Sequence, residues 1–272
     1  MSHLVLFSDI IKLMLEKIEN ISYFDAHFHI FDSIKQEVFT ISKNLYGCSC
    51  FHSKEEWNIL NTLTPEALSR YKLAFGLHPQ TAGKIDIKEN ADFLENLIIQ
   101  KKINAIGEAG FDFFTKEFKT EKENQIKMWE LQLQLAIIYK LPLIVHCRKG
   151  NEMLFEYAKD LKKVPVVLFH SFMGTPIEAQ SLLNKGINGF FSFGKQILNN
   201  NKKVIACVTE LPKNVLLCET DAPFQYLAGE LKTSTTEIKK VYEAAYNLRK
   251  DFDSSIENFA QQMKTNYERL FT

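Results

Sequence analysis

After residue 22 the chain alternates between short apolar runs and longer polar stretches that carry apolar residues at helical spacing. Eight apolar runs can be distinguished, at residues 21–29, 45–51, 71–78, 104–110, 142–146, 165–170, 187–193 and 215–221. One of the intervening stripes places Ile126, Trp129 and Leu133 on one helical face. Continuous apolar strands separated by helices are typical of a parallel sheet that is buried on both faces. Eight such units in 272 residues predict an α/β fold of the (β/α)8, or TIM-barrel, class, in regular or distorted form.

The alternative is an open doubly wound sheet, which would have fewer strands and a glycine-rich phosphate turn after the first. The sequence contains no G-x-G-x-x-G or P-loop pattern and no Pro/Gly/Ser linker, so we expect residues 23–272 to form one barrel domain. Residues 1–22 predict an amphipathic helical extension docked on the barrel. A membrane-surface helix fits less well, because Lys12 and Lys17 are its only cations. The apolar stripe of this extension consists of Phe7, Ile10, Ile11, Met14, Leu15 and Ile18.

The charge balance limits the classes of function. Lysine plus arginine and aspartate plus glutamate each number 33, so the net charge is zero and bulk charge cannot hold the chain on nucleic acid or on a membrane. No apolar run is long enough to cross a bilayer. The five cysteines lack the spacing of a disulfide framework. We expect a cytoplasmic protein without membrane contact, either a monomer or a weak homo-oligomer.

Histidines mark the ends of the predicted strands. The chain has seven histidines, and five of them lie within the last three residues of an apolar run. In a barrel the carboxyl ends of all strands meet on one face, where active sites form, so these side chains should converge. His27 and His29 share one side of the first strand and can chelate a divalent cation. His78, His146 and His170 end the third, fifth and sixth runs.

Two carboxylates occupy comparable positions. Glu108 lies inside the fourth apolar run, and a buried carboxylate needs a cation or several hydrogen-bond donors. A buried ion pair with lysine or arginine is the alternative explanation. Asp221 ends the eighth run and can serve both as a metal ligand and as a proton acceptor. Glu219, one step deeper on the same face, is expected to orient a ligand histidine, and Asp112 does the same if the fourth strand continues that far.

Four histidines and two carboxylates are therefore the candidate metal ligands: His27, His29, Glu108, His146, His170 and Asp221. Six ligands exceed the needs of one tetrahedral ion and suit one or two divalent ions, with a carboxylate bridging them where there are two. No cysteine is required, so a structural zinc cluster is not expected. The mixture of nitrogen and oxygen donors accepts Zn²⁺, Mn²⁺, Fe²⁺ or Mg²⁺.

The chain resembles the TatD-type metal-dependent deoxyribonucleases, a branch of the amidohydrolase-like barrels. The matching stretches are FDAHFH, FGLHP, AIGEAGFDF, LPLIVHCR, LFHSFMG, LLCETDAPF and NYERLF, and they cover residues 23–272 in family order. The resemblance implies a distorted TIM barrel with a one- or two-metal centre that hydrolyses phosphodiester bonds in DNA. It implies the following site: His27, His29 and Asp221 on one ion, His146 and His170 on the other, Glu108 between them, and His78 against the substrate.

Some loop motifs differ from the family pattern. Lys149 follows the HCR motif where the family often has an acidic residue. The segment from Phe224 to Thr235 lacks the usual Arg-Gly-Lys-x-Asn-Glu-Pro run. The predicted metal ligands are therefore complete, whereas the loops that would contact a substrate differ.

The predicted reaction is hydrolysis of a phosphodiester, most simply in single-stranded DNA or at a DNA end, by water activated on a metal. Asp221 and Glu108 are the predicted catalytic residues, with Asp221 accepting the proton. Arg148 and Lys195 are predicted to contact phosphate. One alternative is an amidohydrolase-like enzyme acting on C–N, lactone or small phosphoester bonds. Another is a metal-binding barrel without catalytic activity.

Overall fold

Eight parallel strands lie side by side in chain order in the computed structural model, which describes residues 21–249 and 255–272. Hydrogen bonds from Asp221 N to His27 O (3.0 Å) and from His29 N to Ala222 O (2.8 Å) connect the segment after the last strand to the first. The sheet thus closes almost completely, and the TIM-barrel prediction is confirmed. The strands are β1 Tyr23–Phe28, β2 Leu45–Phe51, β3 Tyr71–Phe75, β4 Ala105–Asp112, β5 Leu143–Arg148, β6 Val167–Phe169, β7 Gly189–Phe193 and β8 Leu216–Cys218.

Helices connect the strands, as the helical stripes in the sequence predict. They are α1 Ile30–Lys35, α2 Lys54–Asn58, α3 Pro65–Leu68, α4 Ile87–Ile99, α5 Lys116–Thr120, α6 Lys122–Tyr139, α7 Asn151–Glu156, α8 Ala158–Leu161, α9 Pro176–Asn184, α10 Lys202–Glu210, α11 Ile238–Arg249 and α12 Ile256–Leu270. Short 3-10 turns are Ile59–Thr62, Pro79–Thr81, Lys195–Ile197, Lys213–Val215 and Thr235–Glu237. The start of α9 follows from its sequence. Thr175 caps the helix, Pro176 occupies the first helical position, and Glu178 completes a capping box with Thr175.

Several strands end at other residues than the apolar runs predict. β4 continues to Asp112 and β5 to Arg148, so both polar side chains belong to strands. β3 stops at Phe75 and β8 at Cys218, which leaves His78 and Asp221 in the segments that follow. A positive φ of 52° at Asp221 is incompatible with an extended strand.

Two apolar layers pack against the two faces of the barrel. The outer layer lies between the strands and the helices and includes Trp129 and Leu133 of the predicted α6 stripe. The inner layer fills the barrel with alternate residues from the strands, such as Ala26, Ala74 and Leu168, which belong to one buried cluster. Tyr267 from α12 packs against this inner cluster, with its ring 5.2 Å from that of Phe24 near the start of β1.

The predicted helical extension at residues 1–22 lies almost wholly outside the described residues, so it stays a prediction. No helix in the described part of the chain is long and apolar enough to cross a membrane.

Candidate metal centre

The candidate ligands converge at the carboxyl ends of the strands, with Glu108 of β4 at their centre. Its Oε1 lies 2.6 Å from His170 Nε2 and 3.5 Å from both His27 Nε2 and His146 Nδ1. Its Oε2 lies 3.5 Å from His29 Nε2. Since the side chain of Glu108 is only 2% exposed, these groups rather than water must balance its charge.

The backbone of β4 is irregular where it carries Glu108. Its pairing with β5 shifts register between Ile106 and Ala109, as strands often do where they aim a side chain into a site. Gly110 approaches β5 so closely that a Cβ would lie 2.0 Å from the carbonyl oxygen of His146, and its φ is +143°. Glycine is the residue that fits this conformation and this contact. The glycines of the fourth run therefore allow Glu108 and His146 to lie side by side.

His27, His29 and Asp221 form one half of the cluster. The two imidazole Nε2 atoms are 3.2 Å apart. Asp221 Oδ1 lies 3.5 Å from His27 Nε2 and 3.3 Å from His29 Nε2. The closure of the barrel between β8 and β1 produces this contact, because the Asp221 N–H donates to the His27 carbonyl.

His146 and His170 form the other half, with His146 Nδ1 3.2 Å from His170 Nε2. Asp112 at the end of β4 lies 3.1 Å from His146 Nε2 and so orients that ring. Glu219 Oε1 is 3.9 Å from His170 Nδ1, too far for a hydrogen bond. Glu219 instead accepts a hydrogen bond of 2.5 Å from Ser192 Oγ.

The cluster contains two further side chains that the sequence did not identify as candidates, His52 and Cys50. His52 Nε2 lies 3.0 Å from Glu108 Oε2. It directly follows β2, so its position at a strand end was the signal that could have identified it. Cys50 Sγ lies 3.4 Å from His27 Nδ1, on the ring atom that points away from Glu108. Cys50 lies in the second apolar run, and His52 directly follows it.

His78 lies beside the cluster and also borders the open space above it. Its Nε2 is 3.8 Å from Glu108 Oε1, and its ring lies 4.6 Å from that of His146. Gln132 of α6 fixes the preceding backbone by bonding both the N–H (2.7 Å) and the carbonyl (3.1 Å) of Leu77. The helix thus positions His78 although β3 has already ended.

The cluster forms the floor of a cleft of about 810 Å³. Arg148 lines this cleft, and its guanidinium lies 3.5 Å from the ring centre of Phe114. On another side Phe224 packs edge-on against His29, with 5.1 Å between the rings. Arg148 is exposed, so it is placed where a phosphate contact is feasible.

Lys195 does not reach the cleft, so the prediction that it contacts a substrate phosphate is wrong. Its side chain is 0% exposed, and its ammonium pairs with Glu230 and, at 2.8 Å, with Glu237. It also donates to Thr233 Oγ1 at 3.1 Å. Carboxylates from the segment after β8 have drawn this cation into the interior.

The model of the family described as TatD related DNase matches residues 24–272. The chain belongs to the TatD family of metal-dependent hydrolases. A protein of Mycoplasma genitalium named an uncharacterized metal-dependent hydrolase is 30% identical over 219 residues, which are 74% of this chain and 81% of that protein. A protein of Cronobacter turicensis named 3'-5' ssDNA/RNA exonuclease TatD is 33% identical over 55% of this chain and 56% of its own length.

A TatD-family fold also appears among solved structures. The TatD homologue YJJV of Escherichia coli superposes with a TM-score of 0.78 over 92% of this chain and 97% of that one. Its sequence identity is 24%, so the likeness concerns the fold.

The pKa values of the clustered side chains are set by two opposing effects, burial and the charges of their close neighbours. Burial would raise the pKa of Glu108, but His27 and His170 outweigh it and hold that pKa well below its usual value. Burial would lower the pKa of His29, but Asp221 and Glu108 raise it to about 9. Burial and the neighbouring His170 lower the pKa of His27. Protons on the imidazoles thus balance the charge of the two carboxylates, and a divalent cation can take the place of those protons.

The donor set fits divalent cations. Imidazole nitrogens and carboxylate oxygens are the ligand types of zinc, manganese and iron sites. The facing Nε2 atoms of His27 and His29, 3.2 Å apart, need a proton or a cation between them. Groups of ligand atoms that lie within 4.8 Å of one another are His27, His170 and Asp221; His27, Cys50 and Glu108; His29, His52 and Glu108; and His78, Glu108 and His146.

Proposed function

We propose that this TatD-family hydrolase cleaves phosphodiester bonds at the end of a single-stranded nucleic acid. The burial of the ligand atoms at the floor of the cleft carries the proposal. His27 is 0% and Glu108 2% exposed, so a scissile phosphate must descend into a cleft of about 810 Å³. An unpaired end can bend into such a cleft, whereas a rigid duplex keeps its phosphates on an outer surface.

The names of relatives support the same substrate class. The Cronobacter turicensis protein is named a 3'-5' ssDNA/RNA exonuclease, and a human relative, 32% identical over 56% of this chain, is named a 3'-5' RNA nuclease. The chain matches only 20% of the human protein, so that likeness extends to a single part of it.

The residues present would divide the work as follows. Bound divalent cations supply Lewis acidity and lower the pKa of a water molecule. The two halves of the cluster would hold them, with Glu108 between. Asp221 is the better placed proton acceptor, because its side chain is 14% exposed against 2% for Glu108. Its Oδ2 is the accepting atom, since Oδ1 faces His27 and His29. Arg148 would bind a phosphate oxygen of the substrate.

End-labelled oligonucleotides test the proposal. Single-stranded DNA, single-stranded RNA and blunt duplex DNA are incubated with the protein and Mg²⁺, Mn²⁺ or Zn²⁺, and in parallel with a chelator. We expect stepwise shortening of the single strands that requires a divalent ion and is abolished in Glu108→Gln. Glu268→Gln on the exposed face of α12 is the matched control and should retain activity. Hydrolysis of small phosphoesters, lactones or amides without nucleic acid cleavage would contradict the proposal.

A further inference from the structure

Gln225 lies in the loop after β8 and turns its side-chain amide back toward the metal centre. Its Nε2 is 2.9 Å from Asp221 Oδ2, 3.1 Å from Glu219 Oε1 and 2.8 Å from Ser171 Oγ. Ionised carboxylates only accept hydrogen bonds, so the NH2 end of the amide must be the end that faces them. The Oε1 of Gln225 has no hydrogen-bond partner among the described residues. The amide is therefore held by its N–H groups.

Three acceptors surround an NH2 group that has two hydrogens. Ser171 Oγ already accepts a hydrogen bond of 2.8 Å from Gln196 Nε2, so it does not depend on Gln225. Glu219 is 0% exposed and Asp221 only 14%, so water has little access to either carboxylate as a substitute donor. Both hydrogens of Gln225 are thus best used on Asp221 and Glu219, which makes the amide a bridge between two like charges.

Both ends of this bridge are anchored. Glu219 is fixed from the other side by Ser192. The backbone around Gln225 is held by Thr233, whose N–H donates to the Pro223 carbonyl at 2.9 Å and whose Oγ1 donates to the Gln225 carbonyl at 3.3 Å. The Gln225 amide is therefore held both by its backbone and by Glu219. Because it also bonds Asp221, it restricts rotation of the Asp221 carboxylate.

The contacts of Asp221 are divided between its two oxygens. Oδ1 faces His27 and His29, and Oδ2 accepts from Gln225. We propose that Gln225 is a positioning residue that sets the rotamer of Asp221, holding Oδ1 toward the cation-binding histidines and Oδ2 at the cleft. The proposal rests on the cation-binding role of Asp221 in the proposed function, and it is independent of the choice of nucleic acid as substrate.

Gly194, between β7 and the following 3-10 turn, provides an independent way to disturb this bridge. A Cβ at Gly194 would lie 2.4 Å from Gln225 Oε1. The side-chain amide is flexible at its end, so Gly194→Ala should displace the amide without a change at Gln225 itself.

The main test compares Gln225→Met with the parent and with Gln196→Met. Methionine matches glutamine in length and removes the donor. Affinity for Mn²⁺ or Zn²⁺ is measured on chelator-treated protein by competition with a metal-binding dye. We expect Gln225→Met to bind about 10- to 100-fold more weakly, the usual effect of losing a group that orients a ligand. Gln196 also donates to Ser171, and no hydrogen bond joins it to either carboxylate, so Gln196→Met should keep the parent affinity.

Kinetics on whichever phosphodiester the parent cleaves provide the second measurement. We expect kcat to fall in Gln225→Met while KM stays within about twofold, because the change acts on Asp221 and not on substrate binding. Gly194→Ala should show the same pattern, and it is the variant to interpret if Gln225→Met does not fold. Parent-like affinity and kcat in a folded Gln225→Met protein would overturn the inference. An inactive parent would contradict the proposed function instead, and the affinity measurement would still decide the role of Gln225.

Discussion

At the scale of single residues, Glu108 lies between His27 of β1 on one side and His146 of β5 and His170 just after β6 on the other. Glu108→Gln keeps the size of the side chain and removes its charge. We expect the variant to lose more metal per chain than any histidine variant, since a carboxylate in this position can serve two ions. Elemental analysis of purified protein measures the content. Glu268→Gln, on the exposed face of α12, is the control and should keep its metal. Equal metal content in the two variants would argue against a bridging Glu108.

Arg148 is the exposed cation on the wall of the cleft, held against the ring of Phe114. Arg148→Ala should raise KM for a phosphodiester about 10-fold and leave kcat nearly unchanged, the pattern of lost ground-state binding. A tenfold change corresponds to about 1.4 kcal/mol. Steady-state kinetics measure it, with Lys149→Ala as the control, because Lys149 is the adjacent exposed cation and is not part of the cleft wall. Loss of metal in Arg148→Ala would instead make Arg148 a structural support.

The sequence could locate the candidate ligands because each lies at the end of an apolar run or within two residues of it, and parallel strands bring such ends together. It could not locate Gln225, whose role depends on a turn with φ of +54° that returns the side chain to Asp221. It also misplaced Lys195, because a lysine after a strand reads as a solvated cation until Glu230 and Glu237, far along the chain, are brought next to it. Contacts made by distant residues in irregular segments have no signature in local sequence.

At the scale of elements, Lys195 connects the turn after β7 to the segment that follows β8. Lys195→Met should lower the free energy of unfolding by about 1–3 kcal/mol, because the loss of one partner of a buried ion pair leaves the charge of the other partner unbalanced. The loss should be smaller than that for a fully buried unpaired charge, since Glu230 is 31% exposed and its carboxylate can be hydrated. Urea unfolding at pH 7 measures it. Lys240→Met is the matched control, because Lys240 pairs with the same Glu237 at the surface and should contribute little.

The same ion pairs predict a dependence on pH. The hydrogen bond from Lys195 lowers the pKa of Glu230, and Lys195 also lowers that of Glu237 against the opposing effect of burial. A carboxyl whose pKa is lower in the folded state than in the unfolded state stabilises the protein at pH values above its unfolded pKa, near 4.5. This contribution is lost as the pH falls from 4.5 through the folded-state pKa. The stability difference between the parent and Lys195→Met should therefore shrink below about pH 4.5. A difference that stays constant to pH 3 would contradict the pairing.

Strand boundaries show a related limit of sequence reasoning at this scale. β4 and β5 continue past their apolar runs to Asp112 and Arg148 because they pair with each other to the end. β8 stops at Cys218, three residues before the predicted end, because the chain turns at Asp221 to meet β1. Apolar runs report burial, whereas pairing and turns decide where a strand ends.

At the scale of the whole molecule, the metal centre connects the two edges of the barrel, since its ligands come from β1, β4, β5 and the segments after β1, β6 and β8. Divalent ions that bind this set should therefore stabilise the barrel as one unit. An ion that binds only the folded state at 100 times its Kd adds about 2.7 kcal/mol. For a chain of this size that corresponds to a rise in Tm of roughly 5–10 °C.

Thermal unfolding with saturating Zn²⁺ or Mn²⁺ and with excess chelator measures this rise. We expect a single transition that moves as a whole, because strands on both sides of the closure contribute ligands. Glu108→Gln is the control and should show a much smaller difference between the two conditions, since its central carboxylate no longer balances the cation charge. Identical Tm values for the parent with metal and with chelator would mean that the ions do not bind at the barrel closure. A shift of equal size in Glu108→Gln would place the binding elsewhere on the chain.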